Sequence, residues 1–488
     1  MEMTKSVKKN FGYNLLLTFC KYLFPLITYP YVSRVLGVDK IGTCNFVDGL
    51  INYFILFSTL GIGSFGVREI ARCKGNLDER NRVFSSLLAI NLIGTVIAAA
   101  VLVLCTLYVA SLQVYREFLW VGLVKLFFNM FLIEWFFQGL QEFKYITIRS
   151  ILIRCFYVVG VFALIRSPDD AVIYYALTAG TTLLNAVCNW TYSGKFRVFS
   201  LKNVHIGLYI LPVLAFGYYR LLTYMYTTFN TVFLGFSSGD REVGYFATAT
   251  KLYTIIMGVF TAFTTVMIPK VSELLKEGDK EKLQKIANDT FNVLTIVSLP
   301  IIIVCLFCAG EIITIIAGVG YEGAVLPFRI VIFLLLVIGM EQIVIQQFLM
   351  ASTSSKSIFI VSSVGATVGI AGNILLTPKL GAVGSSISWG GSELSVLFVG
   401  FFLAKKYVGI SFDKKAFMKN AMWSLAYVPL PLFCHFAIRA PLGINLIVNG
   451  ACAGIIFCVV NLKLNRNEFV AGELGKILKK TVLRSRNS

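Results

Sequence analysis

The run VFSSLLAINLIGTVIAAAVLVLCTLYV, residues 83–109, holds no charged side chain. A helix needs about 20 apolar residues to cross the hydrocarbon core of a bilayer. Hydrocarbon also admits only a backbone that satisfies its own hydrogen bonds. The run therefore reads as a membrane-spanning α-helix. The rest of the chain has the same character: 57% of its 488 residues are hydrophobic and only 14% are charged, against about 25% charged in an average soluble protein. So much apolar surface cannot be buried in a water-soluble core, and lipid must serve as part of the solvent.

Working outward from residues 83–109, fourteen spans are predicted. Those before it are 11–31 and 43–65. Those after it are 118–138, 145–165, 171–192, 208–236, 244–268, 291–307, 326–350, 358–376, 383–403, 417–438 and 442–462. Lys5, Lys8 and Lys9 precede the first run as in a signal peptide, but that run contains Lys21 and lacks a small-x-small cleavage site, so it counts as a span. With the N-terminus inside, about 31 Lys and Arg fall in cytoplasmic segments and about 7 outside. That asymmetry fits the positive-inside rule and puts both termini in the cytoplasm. It also accounts for the net charge of +19 without nucleic acid.

Eleven cysteines, such as Cys105, Cys188, Cys305 and Cys458, lie mostly within apolar runs, which reads as packing. With only His205 and His435 present, a histidine-based metal site is excluded.

A short internal repeat appears. Leu36-Gly37 and Ile41-Gly42 follow the first span; Leu234-Gly235 and Val243-Gly244 follow the seventh. The charged stretch 67–82 with Gly75 has a counterpart in 270–285 with Gly278. Six spans separate the copies, so both copies share one orientation. The expected fold is an all-α polytopic membrane protein with two six-helix bundles related by an axis along the membrane normal, plus two C-terminal helices. The bundles cover 1–205 and 206–410, the appended pair 411–465, and a basic cytoplasmic tail 466–488.

With Arg149 and Lys419, near the starts of their spans, counted among the cytoplasmic cations, six cations fall inside spans: Lys21, Lys125, Arg154, Arg220, Lys251 and Arg329. Each facing lipid at mid-depth would cost about 2.5–3.5 kcal/mol, so they must face a cavity, meet an acid or, as Arg329 can near its helix end, snorkel. The intramembrane acids are Asp48, Glu134, Glu341 and Glu393. Lys125 and Glu134 fall on opposite faces of one helix and are not a local pair. Helical spacing aligns Arg220, Thr223, Tyr224, Thr227 and Thr231 in one stripe and Thr248, Lys251, Thr254, Gly258, Thr261 and Thr265 in another. Asn45, Asp48, Asn52 and Thr59 form a third; Asn14, Thr18, Lys21, Pro25 and Thr28 form a fourth. Such stripes serve either as packing seams or as walls of a water-filled cavity, and a charge in each favours the cavity. Asp48 and Glu341, with Glu134 and Glu393 behind them, can couple transport to an ion or act as fixed counter-ions. Pro25 and Pro30 should bend the first helix.

The segments SVKKNF (6–11), FPLITYPYVSRVLG (24–37), NYF (52–54), LGI (60–62), GVREIA (66–71) and WFFQGLQEFKYITIR (135–149) resemble bacterial polysaccharide flippases of the O-antigen (Wzx) type. The strong match covers the first 150 residues. The resemblance implies the fold of multidrug exporters and peptidoglycan-precursor flippases. It also implies transfer of undecaprenyl-pyrophosphate-linked oligosaccharides from the cytoplasmic to the periplasmic leaflet of the inner membrane. Arg34 and Arg68 match positions of the family motif. A pyrophosphate needs cations and sugars need polar and aromatic partners. The expected cavity residues are Lys21, Arg34, Asn52, Lys125, Arg154, Arg220, Tyr224 and Lys251. No cofactor is expected beyond a coupling proton or sodium ion. Expected partners are the lipid-linked substrate and membrane lipids, with a polysaccharide polymerase and a chain-length regulator in the same membrane; the chain is expected to act as a monomer. Efflux of small cationic drugs is the rival within transporters, and the excess of intramembrane cations argues against it. A membrane polymerase or ligase is the rival outside that class, but no outside loop is long enough to hold its reacting residues.

Overall fold

The computed structural model describes residues 2–73, 75–196, 200, 202, 204–350, 355–429, 452–454 and 456–457. Residues 430–438 of the thirteenth predicted span, most of the fourteenth and the tail 466–488 lie outside the described residues. Among the described residues all regular structure is helical, and nine helices are long and apolar enough to cross a membrane.

The chain opens with α1 (Glu2–Thr59), which the non-helical backbone of Gly37 (φ 75, ψ 170) divides into two arms. Next come α2 (Ile62–Arg72), α3 (Leu77–Tyr108), the short α4 (Ala110–Gln113), α5 (Arg116–Asn129), α6 (Glu134–Gly139), α7 (Phe143–Leu164) and α8 (Ala171–Ser193). The second half begins with α9 (Ile206–Tyr224), α10 (Thr228–Ser238), α11 (Asp240–Glu277) and α12 (Lys280–Phe307). It continues through α13 (Ala309–Ile316), α14 (Val325–Val331), α15 (Leu334–Glu341) and a π-helix over Gln342–Leu349. Then come α16 (Ser355–Tyr407), interrupted at Gly381, and α17 (Lys414–Ser424).

The internal repeat has a geometric counterpart. Gly239 repeats the backbone of Gly37 almost angle for angle (φ 85, ψ 176). Only glycine holds such a positive φ without strain. The structural partner of Gly37 is thus Gly239; the sequence pairing with Gly235 was a few residues off. Gly42 and Gly244 also correspond, and each faces the other half: a Cβ on Gly42 would lie 1.7 Å from the carbonyl oxygen of Asp240, and one on Gly244 would lie 2.3 Å from that of Val38. At the opposite end, Gly75 (φ 93) and Gly278 (φ 72) each precede a capping residue. Asn76 accepts from the amide of Glu79 and Asp279 from that of Lys282, starting α3 and α12 in the same way.

The seam between the halves follows from this pairing. The first arm of α1 runs along α11, with Gly258 against Tyr22 and a 2.6 Å hydrogen bond between the hydroxyls of Tyr29 and Thr248. The second arm runs along α10 and α9, with Gly235 against Phe46 and the hydroxyl of Tyr53 donating to the carbonyl of Tyr224 at 3.1 Å. At the Gly37 end the halves are sealed: Asp240 accepts from Thr43 at 2.5 Å and from Tyr115 at 2.7 Å. At the Gly75 end, Gly61 packs on Phe216 and Gly217, and the Arg68 guanidinium lies 5.0 Å from the Phe216 ring.

Among the predicted spans that the structure interrupts are the fourth and the seventh. The fourth breaks between α5 and α6, where Ile133 takes a left-handed conformation (φ 34) rare for a β-branched residue. The carbonyls freed there are satisfied by neighbouring helices: Asn91 donates to Met130 at 3.4 Å and Asn189 donates to Leu132. The seventh breaks between α9 and α10, and Tyr53 takes up the Tyr224 carbonyl there. Broken helices inside a membrane persist only where protein or a cavity satisfies the backbone.

Candidate functional site

The main polar cavity lies within the N-terminal half. It encloses about 310 Å³ among the first arm of α1, α6, α7 and α8. Lys21 and Arg154 supply its cations, Glu134 and Gln138 enter from the broken fourth span, and Thr178, Thr181 and Asn185 line α8. A second cavity of about 290 Å³ shares Glu134 and Gln138 and adds Thr59, Asn91, Asn129 and Arg220. Three cations thus border two chambers that meet at one carboxylate. The break before α6 is what puts Glu134 there.

Glu134 is held by a partner that reasoning from spacing missed. Arg149 was counted among the cytoplasmic loop cations, but it lies in α7 with only 5% of its surface exposed. Its guanidinium donates to Glu134 and Asn189 and, at 3.0 Å, to Ser150. A salt bridge at this depth offsets the cost of both charges only when the remaining donors are also satisfied. Asn189, fully buried, could have been flagged as an intramembrane amide, but no spacing rule linked it to Arg149 or to the break.

Lys125 pairs with Asp48 at 2.5 Å, and Asn52 bridges them, donating to Asp48 at 3.1 Å and accepting from Lys125 at 3.4 Å. Lys251 lies within electrostatic reach of Asp48, its ammonium 5.8 Å from the Tyr29 ring. This cluster borders neither chamber. The sequence left Asp48 open between ion coupling and a fixed counter-ion; in the structure it stands against the Lys125 ammonium.

Other expected cavity residues lie apart. Arg34 sits at the Gly37 end, donating to the carbonyl of Pro30 at 2.8 Å and to that of Ile315. Tyr224 packs against Tyr53 (6.1 Å between ring centroids) and under Arg220. Arg329 donates to the carbonyl of Leu306 at 3.0 Å. The α11 stripe divides: Thr248 is wholly buried in the seam, while Thr261 accepts from Gln342 of the π-helix at 3.0 Å, beside Thr264, which lies outside the stripe and donates to Gln342 at 2.8 Å. For these threonines the packing alternative holds, and the expectation of four stripes around one cavity is corrected. Lys21 and Arg220 face different chambers, and α6, α7 and α8 form walls that the stripes did not include.

In the C-terminal half, Glu341 borders a cavity of about 580 Å³ with Thr223, Tyr226 and Ser272. Glu393 is buried beside it and accepts from the Trp389 indole at 2.7 Å. A buried amide and hydroxyl network stands nearer the Gly37 end: Asn373 donates to Asn230 at 2.6 Å and accepts from Thr377 at 2.9 Å. Nothing in the sequence pattern singled it out. Among the described residues no group of three or more His, Cys, Asp and Glu could hold a metal.

Two pseudo-symmetric halves, broken helices and polar chambers define a multi-pass membrane protein built as a transporter rather than an enzyme. Residues 7–275 match the model of the family described as "Polysaccharide biosynthesis protein", and the chain belongs to that family. Two proteins called "Putative O-antigen transporter" are similar to it. That of Escherichia coli (strain K12) is 26% identical over 67% of this chain and 79% of the relative; that of Shigella dysenteriae is 26% identical over 55% and 68%. Among solved structures, the lipid II flippase MurJ in an inward closed conformation superposes with a TM-score of 0.70 over 92% of this chain and 98% of that one, at 14% identity. An inward-facing multidrug resistance MATE transporter of the MOP superfamily gives 0.61 over 79% and 93%, at 15% identity. These likenesses establish the fold.

Proposed function

We propose that this protein is a flippase carrying undecaprenyl-pyrophosphate-linked oligosaccharide units from the cytoplasmic to the periplasmic leaflet of the bacterial inner membrane, for surface polysaccharide assembly. The observation that carries the reading is the cationic pair of chambers, with Lys21 and Arg154 on one side of Glu134 and Arg220 on the other. Guanidinium and ammonium groups in a low-dielectric site hold a pyrophosphate strongly, and the amides and threonines of α8 offer partners to sugar hydroxyls. Cationic drugs would be repelled by the same residues. A chamber of about 310 Å³ is at the lower end of ligand-pocket sizes. The oligosaccharide therefore enters only once the halves separate, while the prenyl chain stays in lipid. The halves 1–205 and 206–410 act as the two moving bodies.

Glu134, tied to Arg149, is a removable stand-in for the substrate's charge. Glu341 and Glu393 form no ion pair with a Lys or Arg among the described residues, which makes them the acids through which a proton or sodium gradient would act. The test is complementation of a deletion strain. Lys21→Gln, Arg154→Gln and Arg220→Ala should each abolish surface polysaccharide at normal membrane abundance, with the lipid-linked unit accumulating on the cytoplasmic side. Full complementation by all three would remove the chambers from the substrate path.

A further inference from the structure

A third concavity lies on the outer, lipid-facing side of the N-terminal half. It is a groove of about 800 Å³ between α7 and α8, opening toward the Gly75 end. Its wall is apolar and open to lipid: Ile148, Leu152 and Phe156 of α7 are 45%, 54% and 69% exposed, and Leu184 of α8 is 44% exposed. The head of the groove differs in chemistry. Exposed Lys144 at the start of α7 and exposed Lys195 just past α8 both border it. The Lys195 ammonium lies 4.5 Å from the Tyr192 ring, and Tyr192 stacks on Tyr145 with centroids 3.7 Å apart. One acid, Glu142, borders the groove, and its carboxylate accepts from the Tyr192 hydroxyl at 3.4 Å.

The independent observation is Arg149. It borders the groove, is 95% buried, and spends its terminal nitrogens on Glu134, Asn189 and Ser150. Its Nε is buried without an acceptor. An orphaned buried N–H calls for a partner. Lys144 and Lys195 border the same groove, so a lipid phosphate at its head would bring a further acceptor to that side of α7. Anionic head groups are held at this depth by basic side chains near the membrane surface, and acyl chains by apolar grooves.

We infer that the α7–α8 groove is a binding site for one anionic phospholipid, its phosphate against Lys144, Lys195 and the Arg149 Nε and an acyl chain along Leu152 and Phe156. The site is distinct from the chambers: Ile153 lines the groove and the 310 Å³ chamber alike, and Arg149 connects the groove to Glu134 at the chamber wall. The same guanidinium that meets the lipid phosphate holds Glu134 at the chamber wall, so occupancy of the groove fixes the orientation of the chamber's acid.

The test is lipid retention by the purified full-length protein, read by native mass spectrometry after delipidation and addition of phosphatidylglycerol or phosphatidylcholine. Wild type should retain one phosphatidylglycerol in strong preference to phosphatidylcholine. The double variant Lys144→Gln with Lys195→Gln should bind it about 30-fold more weakly, the ratio expected from two interfacial cations. Leu184→Trp, which fills the apolar wall without touching the charges, should also reduce retention. Lys405→Gln with Lys406→Gln, a basic pair on α16 away from the groove, should leave it unchanged. Equal retention in the groove and α16 variants would overturn the site. So would equal binding of phosphatidylcholine by wild type. Displacement of phosphatidylglycerol by an equal concentration of undecaprenyl phosphate would assign the groove to the substrate's lipid instead, and that too would overturn the inference.

Discussion

At the residue scale, charge inside the membrane is governed by pairing. Asp48, Lys125 and Asn52 close a triangle in which every charge has a partner. Removing one member strands the other, at a cost of about 3–5 kcal/mol for a buried pair. Asp48→Asn should therefore lower the thermal stability of the purified protein, and Asp48→Asn combined with Lys125→Met should recover most of the loss. The pH dependence of transport should be the same in wild type and Asp48→Asn vesicles; a shifted profile would return Asp48 to ion coupling. The types of these residues, and that each cation had to face a cavity, meet an acid or snorkel, were legible in the sequence. Which acid met which base was not, because Asp48 and Lys125 lie on different helices and Glu134 meets Arg149 only through a break. Arg149 was misread for a related reason: it falls near the start of the predicted span 145–165 and was counted with the cytoplasmic segment before it, whereas α7 buries it.

At the element scale, glycine and helix breaks decide how the halves meet. Gly42 and Gly244 let the two turns interlock where a side chain would collide with backbone. Gly244→Val should push α11 from the Val38 carbonyl and open the seal at the Gly37 end. A Thr28→Cys reporter, buried in the seam of a background free of native cysteines, should then react with an impermeant thiol reagent added outside; without Gly244→Val it should stay protected. Equal labelling in both would mean that the glycine contact is not the seal. Apolar length revealed the spans, and the repeated glycines revealed the duplication. The breaks at Ile133 and between Tyr224 and Thr228 were not legible. Neither contains a glycine or proline at the break, and both are stabilised by side chains distant in sequence: Asn91 and Asn189 for the first, Tyr53 for the second. Because α6 carries Glu134, the cavity could not be placed until that break was known.

At the scale of the whole molecule, the halves meet at the Gly37 end and at the Gly75 end, and the proposed function requires them to part at each end in turn. Val38 and Ser238 flank the matching turns at the Gly37 end. Cysteines placed at these positions should cross-link, the link should block transport, and reduction should restore it. A linked protein that still transports at the normal rate would show that this seal need not open. The central claim is that the protein itself moves a lipid-linked oligosaccharide across a bilayer. The direct measurement uses purified protein in liposomes that carry an undecaprenyl-pyrophosphate-linked oligosaccharide, with a glycan-cleaving enzyme added outside to report exposure. With an imposed proton or sodium gradient, wild type should expose the inner-leaflet glycan in minutes, while Arg154→Gln and protein-free liposomes should leave it protected. Protection that persists with active, correctly folded wild-type protein under either gradient would contradict the account.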